Sequence, residues 1–166
     1  GMLWFPYECV LYINNPVGND FETIDGTHLP GNTDSDVLVL EAIYQNTRNF
    51  PPVICRQFPN VEDIYMEENQ IEIIEADAFA ACENLWRIIL SFNRITRIPD
   101  GLFQNSPLLT IFEASVNEIS QIGVNAFVGT QIRVFGLSNN QISDFNPHIF
   151  DPISSSLQEL YLTSNQ

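Results

Sequence analysis

An asparagine that recurs at one phase of an apolar pattern constrains the fold more than any other feature of this chain. Asn69, Asn93, Asn117, Asn140 and Asn165 follow one another at a nearly constant interval of roughly 24 residues, a period typical of short repeats. Before Asn93 stand Leu85, Ile88 and Leu90, and after it come Ile95, Ile98, Leu102 and Phe103. The other asparagines sit in the same apolar frame, down to Leu157, Leu160 and Leu162 before Asn165. A further equal step back from Asn69 reaches Gln45, framed by Val37, Leu40, Ala42, Phe50, Ile54 and Cys55. That is a degenerate first copy, with an amide that can mimic Asn and a cysteine where later copies place Phe. Repeats must be sought first, because a missed period misassigns the whole fold.

The physics of the pattern is direct. Apolar residues two apart lie on one face of a short strand, and strands of successive copies can stack in parallel to bury that face. No single copy can bury its own core, so stability comes from neighbours along the stack. The asparagine amide is placed to satisfy backbone groups buried between copies. Phe79, Phe103, Phe127 and Phe150 are expected to stack as a column filling the convex half. A helical array fails, because a two-helix repeat needs a longer period, roughly 33 residues or more. Pro51, Pro52, Pro99 and Pro107 would also break helices laid there. The expected architecture is a right-handed, α/β-type solenoid curved like a horseshoe. It has a parallel β-sheet of about six short strands on the concave face and loops or short 3-10 turns on the convex face. The repeats span residues 37–166, and residues 1–36 form an N-terminal cap. In the cap, Val10–Ile13 and Phe21–Ile24 read as a small β-hairpin around the turn-rich segment 14–20. The apolar residues of the last copy predict an open end, belonging to a longer solenoid or pairing with a second copy as a homodimer.

These residues carry a family resemblance. The template resembles the typical leucine-rich repeat of about 24 residues, and Ile98-Pro-Asp-Gly-Leu-Phe103 is similar to the convex-side signature of that subclass. The resemblance implies an extracellular binding scaffold, such as a Toll-type receptor ectodomain, a Slit-like guidance protein or a proteoglycan core. Tyr7-Glu-Cys9, Phe21–His28, Asp36-Val37 and Phe58–Val61 are similar to secreted or receptor leucine-rich immune proteins of arthropods, mosquitoes among them. Those proteins carry a Cys pair at the start of the cap, and here only Cys9 stands there. With three cysteines, at least one has no partner within the chain. Two arrangements stay open: Cys9 bonded to Cys55, or Cys9 deprived of a partner lost with a truncated N-terminus. Cys82 sits in an apolar slot and reads as a buried, inert thiol.

Charge limits the partners. There are 21 Asp and Glu against six Arg, with no Lys, for a net charge of −15. Such a surface would repel nucleic acid and an anionic membrane, and no apolar run is long enough to span a bilayer. A protein ligand, and a basic one, fits better. Catalysis has no visible carrier: His28 and His148 lie far apart in the chain, no phosphate loop occurs, and Ser154–Ser156 has no nearby base. Neither a cofactor nor a metal is expected. Asn32, Asp34 and Asp36 superficially resemble a calcium loop, but Val37 stands where the loop needs Gly and Ile43 where it needs an acid; a turn entering a strand explains them better.

The candidate surface is the concave sheet, where residues alternating with the buried ones face outward. They include Val39, Glu41 and Ile43; Asp63, Tyr65 and Glu67; Arg87, Ile89 and Ser91; Ile111, Glu113 and Ser115; Val134, Gly136 and Ser138; and Glu159, Tyr161 and Thr163. Apolar side chains there have no folding duty, and a patch of them rimmed by acids is what a protein-binding surface looks like. Tyr65 and Ile89 form its expected centre, with Asp63, Glu67 and Glu113 selecting a positively charged ligand. The functional expectation is a non-enzymatic recognition module, in innate immunity or signalling. An adhesion or matrix scaffold using other faces is the alternative, and a regulatory subunit of an enzyme the next.

Overall fold

The computed structural model describes residues 8–10, 28 and 30–166. Strands β1 (Glu8–Val10), β2 (Val39–Glu41), β3 (Asp63–Tyr65), β4 (Arg87–Ile89), β6 (Ile111–Glu113), β8 (Val134–Gly136) and β9 (Glu159–Tyr161) form one sheet in that order. Every pairing is parallel, with Val39, Asp63, Arg87, Ile111, Val134 and Glu159 aligned across the six strands β2 to β9. Parallel strands need a crossover between them, and here each crossover is one coil of a solenoid. Two-residue strands β5 (Arg97–Ile98) and β7 (Gln121–Ile122) pair on the opposite side. The only α-helix among the described residues is α1 (Ile54–Gln57), and 3-10 turns cover Asp34–Asp36 and Pro147–Ile153.

The sheet has seven strands, one more than the repeats supply. β1 aligns Glu8 with Val39 and lies parallel to the first coil. The cap strand therefore starts two residues earlier than the sequence pattern suggests, and it continues the sheet. The remainder of the expected hairpin, residues 11–13 and 21–24, lies outside the described residues.

The core follows the repeat. Leu40, Ile64, Ile88, Phe112 and Phe135 point inward from the centres of successive strands and are fully buried. Phe79, Phe103 and Phe127 stack with ring centroids 4.9 and 5.8 Å apart. Phe150 leaves that column: it is only partly buried and meets Phe135 edge-on at 5.8 Å and Phe145 at 6.0 Å. The 3-10 turn around Pro147 and Pro152 carries the last coil along a different path. At the other end the column is continued by Phe50, 4.5 Å from Phe79.

Cys55 stands beside that column and is bonded to Cys82, with a Cα–Cα distance of 5.1 Å. This corrects both cysteine expectations: Cys55 does not pair with Cys9, and Cys82 is not a free thiol. The reason is geometric. One full coil carries the chain from Cys55 to Phe79, and the tight turn from Phe79 to Cys82 completes the separation of 27.

The asparagines form the expected kind of ladder. Asn93 accepts from the Ile71 amide at 2.9 Å and donates to the carbonyls of Met66 at 2.9 Å and Leu90 at 3.0 Å. Asn69, Asn117, Asn140 and Asn165 repeat this between their own coils. A second ladder runs along the side leading into the sheet, where Asn60, Asn84, Gln131 and Ser156 each donate to a carbonyl of the preceding coil.

Beyond the asparagines, lateral backbone pairing alternates. The first and second coils are joined by amide hydrogen bonds from Gln70, Glu72 and Phe50, and the third and fourth by those from Glu118, Ser120 and Gly123. Among the described residues, only the Arg94 amide bridges the second and third coils there, to Ile71, and only that of Gln141 the fourth and fifth, to Ile119. The first of these seams opens into a cleft of about 400 Å³ lined by Glu72, Ile73, Arg94, Thr96 and Glu118.

Candidate binding face

Strand alternation places the outward side chains of the sheet in three columns. The first runs Val39, Asp63, Arg87, Ile111, Val134 and Glu159, and the second runs Glu41, Tyr65, Ile89, Glu113, Gly136 and Tyr161. The third, two residues further on in each coil, holds Ile43, Glu67, Ser91, Ser115, Ser138 and Thr163. Tyr65 and Ile89 are therefore direct neighbours, Ile111 lies diagonally from Ile89 on the next strand, and Val134 is aligned with Ile111 on the strand beyond. These residues are half-buried, Ser91 is buried at 9% exposure, and Tyr161 is open at 48%. Concavity is the reason: each side chain is flanked by those of two neighbouring strands about 4.8 Å away.

Five carboxylates (Glu41, Asp63, Glu67, Glu113 and Glu159) share this face with a single cation, Arg87. Arg87 is committed to its neighbours. It donates to the Tyr65 hydroxyl at 2.6 Å, lies 4.7 Å above the Trp86 ring centroid, and has its Nε 3.9 Å from Asp63 Oδ1. The last contact is too long for a hydrogen bond, and neither atom has another partner among the described residues. Burial pushes the Asp63 carboxyl up against the pull of Arg87. Burial also raises Glu67, with Glu41 and Glu68 adding repulsion, and Glu67 Oε2 has no hydrogen-bond partner among the described residues. Glu113 is raised by burial too, and its carboxylate accepts from Ser115 Oγ at 3.3 Å. A face with two half-buried, under-satisfied acids, Asp63 and Glu67, beside apolar side chains favours a ligand that brings cationic donors.

Among the described residues no group of three His, Cys, Asp or Glu could hold a metal. The loop at 32–36 is instead self-satisfied, with Asp36 Oδ2 accepting from the Thr33 amide at 2.8 Å and from its hydroxyl at 2.9 Å. His148 pairs with Asp151 in an exposed 3-10 turn, and Ser154 Oγ donates to a backbone carbonyl. No helix is long and apolar enough to cross a membrane among the described residues.

Stacked single-strand coils, an internal amide ladder and a phenylalanine spine define a solenoid repeat protein with a parallel concave sheet. The chain belongs to the leucine-rich repeat family: the BspA type leucine rich repeat region matches residues 53–166 in six copies. The leucine-rich repeat domain of the mosquito protein APL1 superposes with a TM-score of 0.74 at 28% identity, over 80% of this chain and 35% of that one. The Drosophila Toll–Spatzle complex shares the fold at a TM-score of 0.64 and 23% identity, covering 80% and 18%. Human leucine-rich repeats and immunoglobulin-like domains protein 1 is 24% identical over 83% of this chain and 13% of its own length. The chain thus spans about a third or less of each of these relatives, and it resembles insect immune leucine-rich repeat proteins.

Proposed function

We propose that this chain is a non-enzymatic, extracellular recognition module that binds a basic protein ligand on its concave sheet, in innate immunity or signalling. The observation that carries the reading is the pairing of Tyr65 and Ile89 at the centre of a face on which Asp63 and Glu67 are half-buried, each with one oxygen short of a donor among the described residues. Aromatic anchors flanked by unsatisfied carboxylates match the anatomy of a binding hot spot. The buried Cys55–Cys82 bond supports an oxidising, extracellular setting, and the likeness to APL1 supports an immune role. Residues 1–36 serve in this reading as the cap that covers the first coil.

The test is a binding screen of the chain against an array of recombinant extracellular proteins, repeated with Tyr65→Ala/Ile89→Ala. A ligand on this face loses roughly tenfold or more in affinity, and its binding weakens as salt rises. A ligand held equally well by both proteins places recognition on another face and overturns the reading.

A further inference from the structure

The residue just before each ladder amide has a left-handed backbone. Tyr44, Glu68, Phe92, Val116, Asn139 and Ser164 have φ of 58°, 53°, 58°, 56°, 56° and 59°. The coil geometry demands it, because the amides of Glu68, Phe92, Val116 and Asn139 each reach forward to the next coil, as Phe92 does to the Ser115 carbonyl at 3.0 Å. Asn tolerates this conformation, whereas bulky and β-branched residues are strained by it. Yet three of the six positions carry Tyr44, Phe92 and Val116, exposed by 65%, 55% and 37%. Nothing in the core asks for them, and an observed outlier of this kind motivates a functional reading.

Their surroundings specify a ligand. Glu68 occupies the same phase one coil from Tyr44 and one from Phe92, so the three residues stand side by side along the sheet edge over roughly 10 Å of backbone, twice the strand spacing. Glu68 beside the Tyr44 hydroxyl holds it above the ordinary phenol value. Next to Glu68 in the chain is Glu67, whose Oε2 is buried without a hydrogen bond among the described residues, close enough to Glu41 to feel its charge. Arg94, just past Phe92 in the chain, lines the neighbouring lateral cleft with Glu72 and Glu118. An acid with an exposed aromatic residue on either side in the stack matches a planar cation, which can bond a carboxylate in the fork geometry and lay a face on a ring.

We propose that the sheet edge formed by Tyr44, Glu68 and Phe92 is a recognition site for an arginine side chain of a partner protein. It stands on residues outside the Tyr65–Ile89 centre, and it holds whether or not that centre binds.

The experiment is a titration of the whole chain with acetyl-Gly-Arg-Arg-Gly-amide and with its Lys counterpart, followed by amide chemical shifts at about 0.15 M salt. Saturable shifts at Tyr44, Glu68 and Phe92 are expected, with the Arg peptide bound about fivefold tighter than the Lys peptide. Phe92→Asn keeps the charge and relieves the backbone, so it should raise the thermal midpoint yet weaken the Arg peptide about fivefold. Tyr44→Ala should weaken it as well. Asp144→Asn, which removes an equal charge from an exposed position in the fifth coil, should leave affinity within about twofold. Absent binding, equal affinity for the two peptides, equal losses from Glu68→Gln and Asp144→Asn, or undiminished binding by Phe92→Asn would each overturn the site.

Discussion

The Glu113 carboxylate lies across Gly136 on the neighbouring strand, in the volume that a side chain at 136 would occupy. The absent Cβ thus sets where one of the three raised acids of the concave face sits. Because only the flexible end of Glu113 stands there, Gly136→Ala should swing that carboxylate aside and cost less than the roughly 1–3 kcal/mol of overpacking against rigid groups, read by urea denaturation. Adding Glu113→Ala should remove that cost. A purely additive double variant would show that the two residues do not compete for one space.

Stability should rise as the solution is made mildly acidic. Burial holds Asp63, Glu67 and Glu113 above their ordinary values, so the folded chain binds protons that the unfolded chain has already released. The stabilisation from protonation is complete below the ordinary values, 4.5 for the two glutamates and 3.8 for Asp63, and is lost as pH rises through the raised folded values. Thermal midpoints measured downward from about pH 7 should therefore climb, and Glu113→Gln should raise the neutral midpoint while flattening the slope. A midpoint that falls steadily over the same window contradicts the assignment.

The disulfide closes a loop of 27 residues, for which chain entropy gives a contribution of about 3.5 kcal/mol. Cys55→Ala/Cys82→Ala should lose an amount of that order. Proteolysis without reductant should release one peptide pair joined through Cys55 and Cys82. A pair joining Cys9 to Cys55 would refute the arrangement.

Asn93→Ala should cost about 3 kcal/mol, because it strips partners from the Ile71 amide and the carbonyls of Met66 and Leu90 inside a buried seam. Asn165 makes similar bonds but is only partly buried, and its replacement should cost about 1 kcal/mol. Equal losses at both positions would mean that burial does not set the value of the ladder.

What the sequence disclosed follows the repeat phase. The near-constant step and the fixed frame around each Asn specify strand order and alignment, because every copy meets its neighbour at the same position. Gln45 could be aligned for the same reason, although its side-chain amide donates to the carbonyl of Ile43 in its own coil at 2.8 Å. The features that escaped combine two periods or break the first. Cys55 and Cys82 differ by a coil step plus a turn, so they never align when the copies are superimposed. The left-handed column was hidden because Tyr44, Phe92 and Val116 are residues that rarely adopt that conformation. Phe150 occupies the right phase, but the prolines around it redirect its coil. The outward columns were legible from strand alternation, whereas the partial burial of their acids depends on curvature, which no single copy encodes.

The alternating lateral seams also bear on how the molecule bends. On the concave side every coil is paired with the next, so the inner arc has one fixed length per coil. On the outer arc the first and second coils are clasped and the third and fourth are clasped, while among the described residues a single backbone amide spans each seam between those pairs and beyond. The backbone pairing of the outer arc thus has twice the period of the inner sheet, and a change of curvature should fall first on the two seams where the fewest outer bonds oppose it.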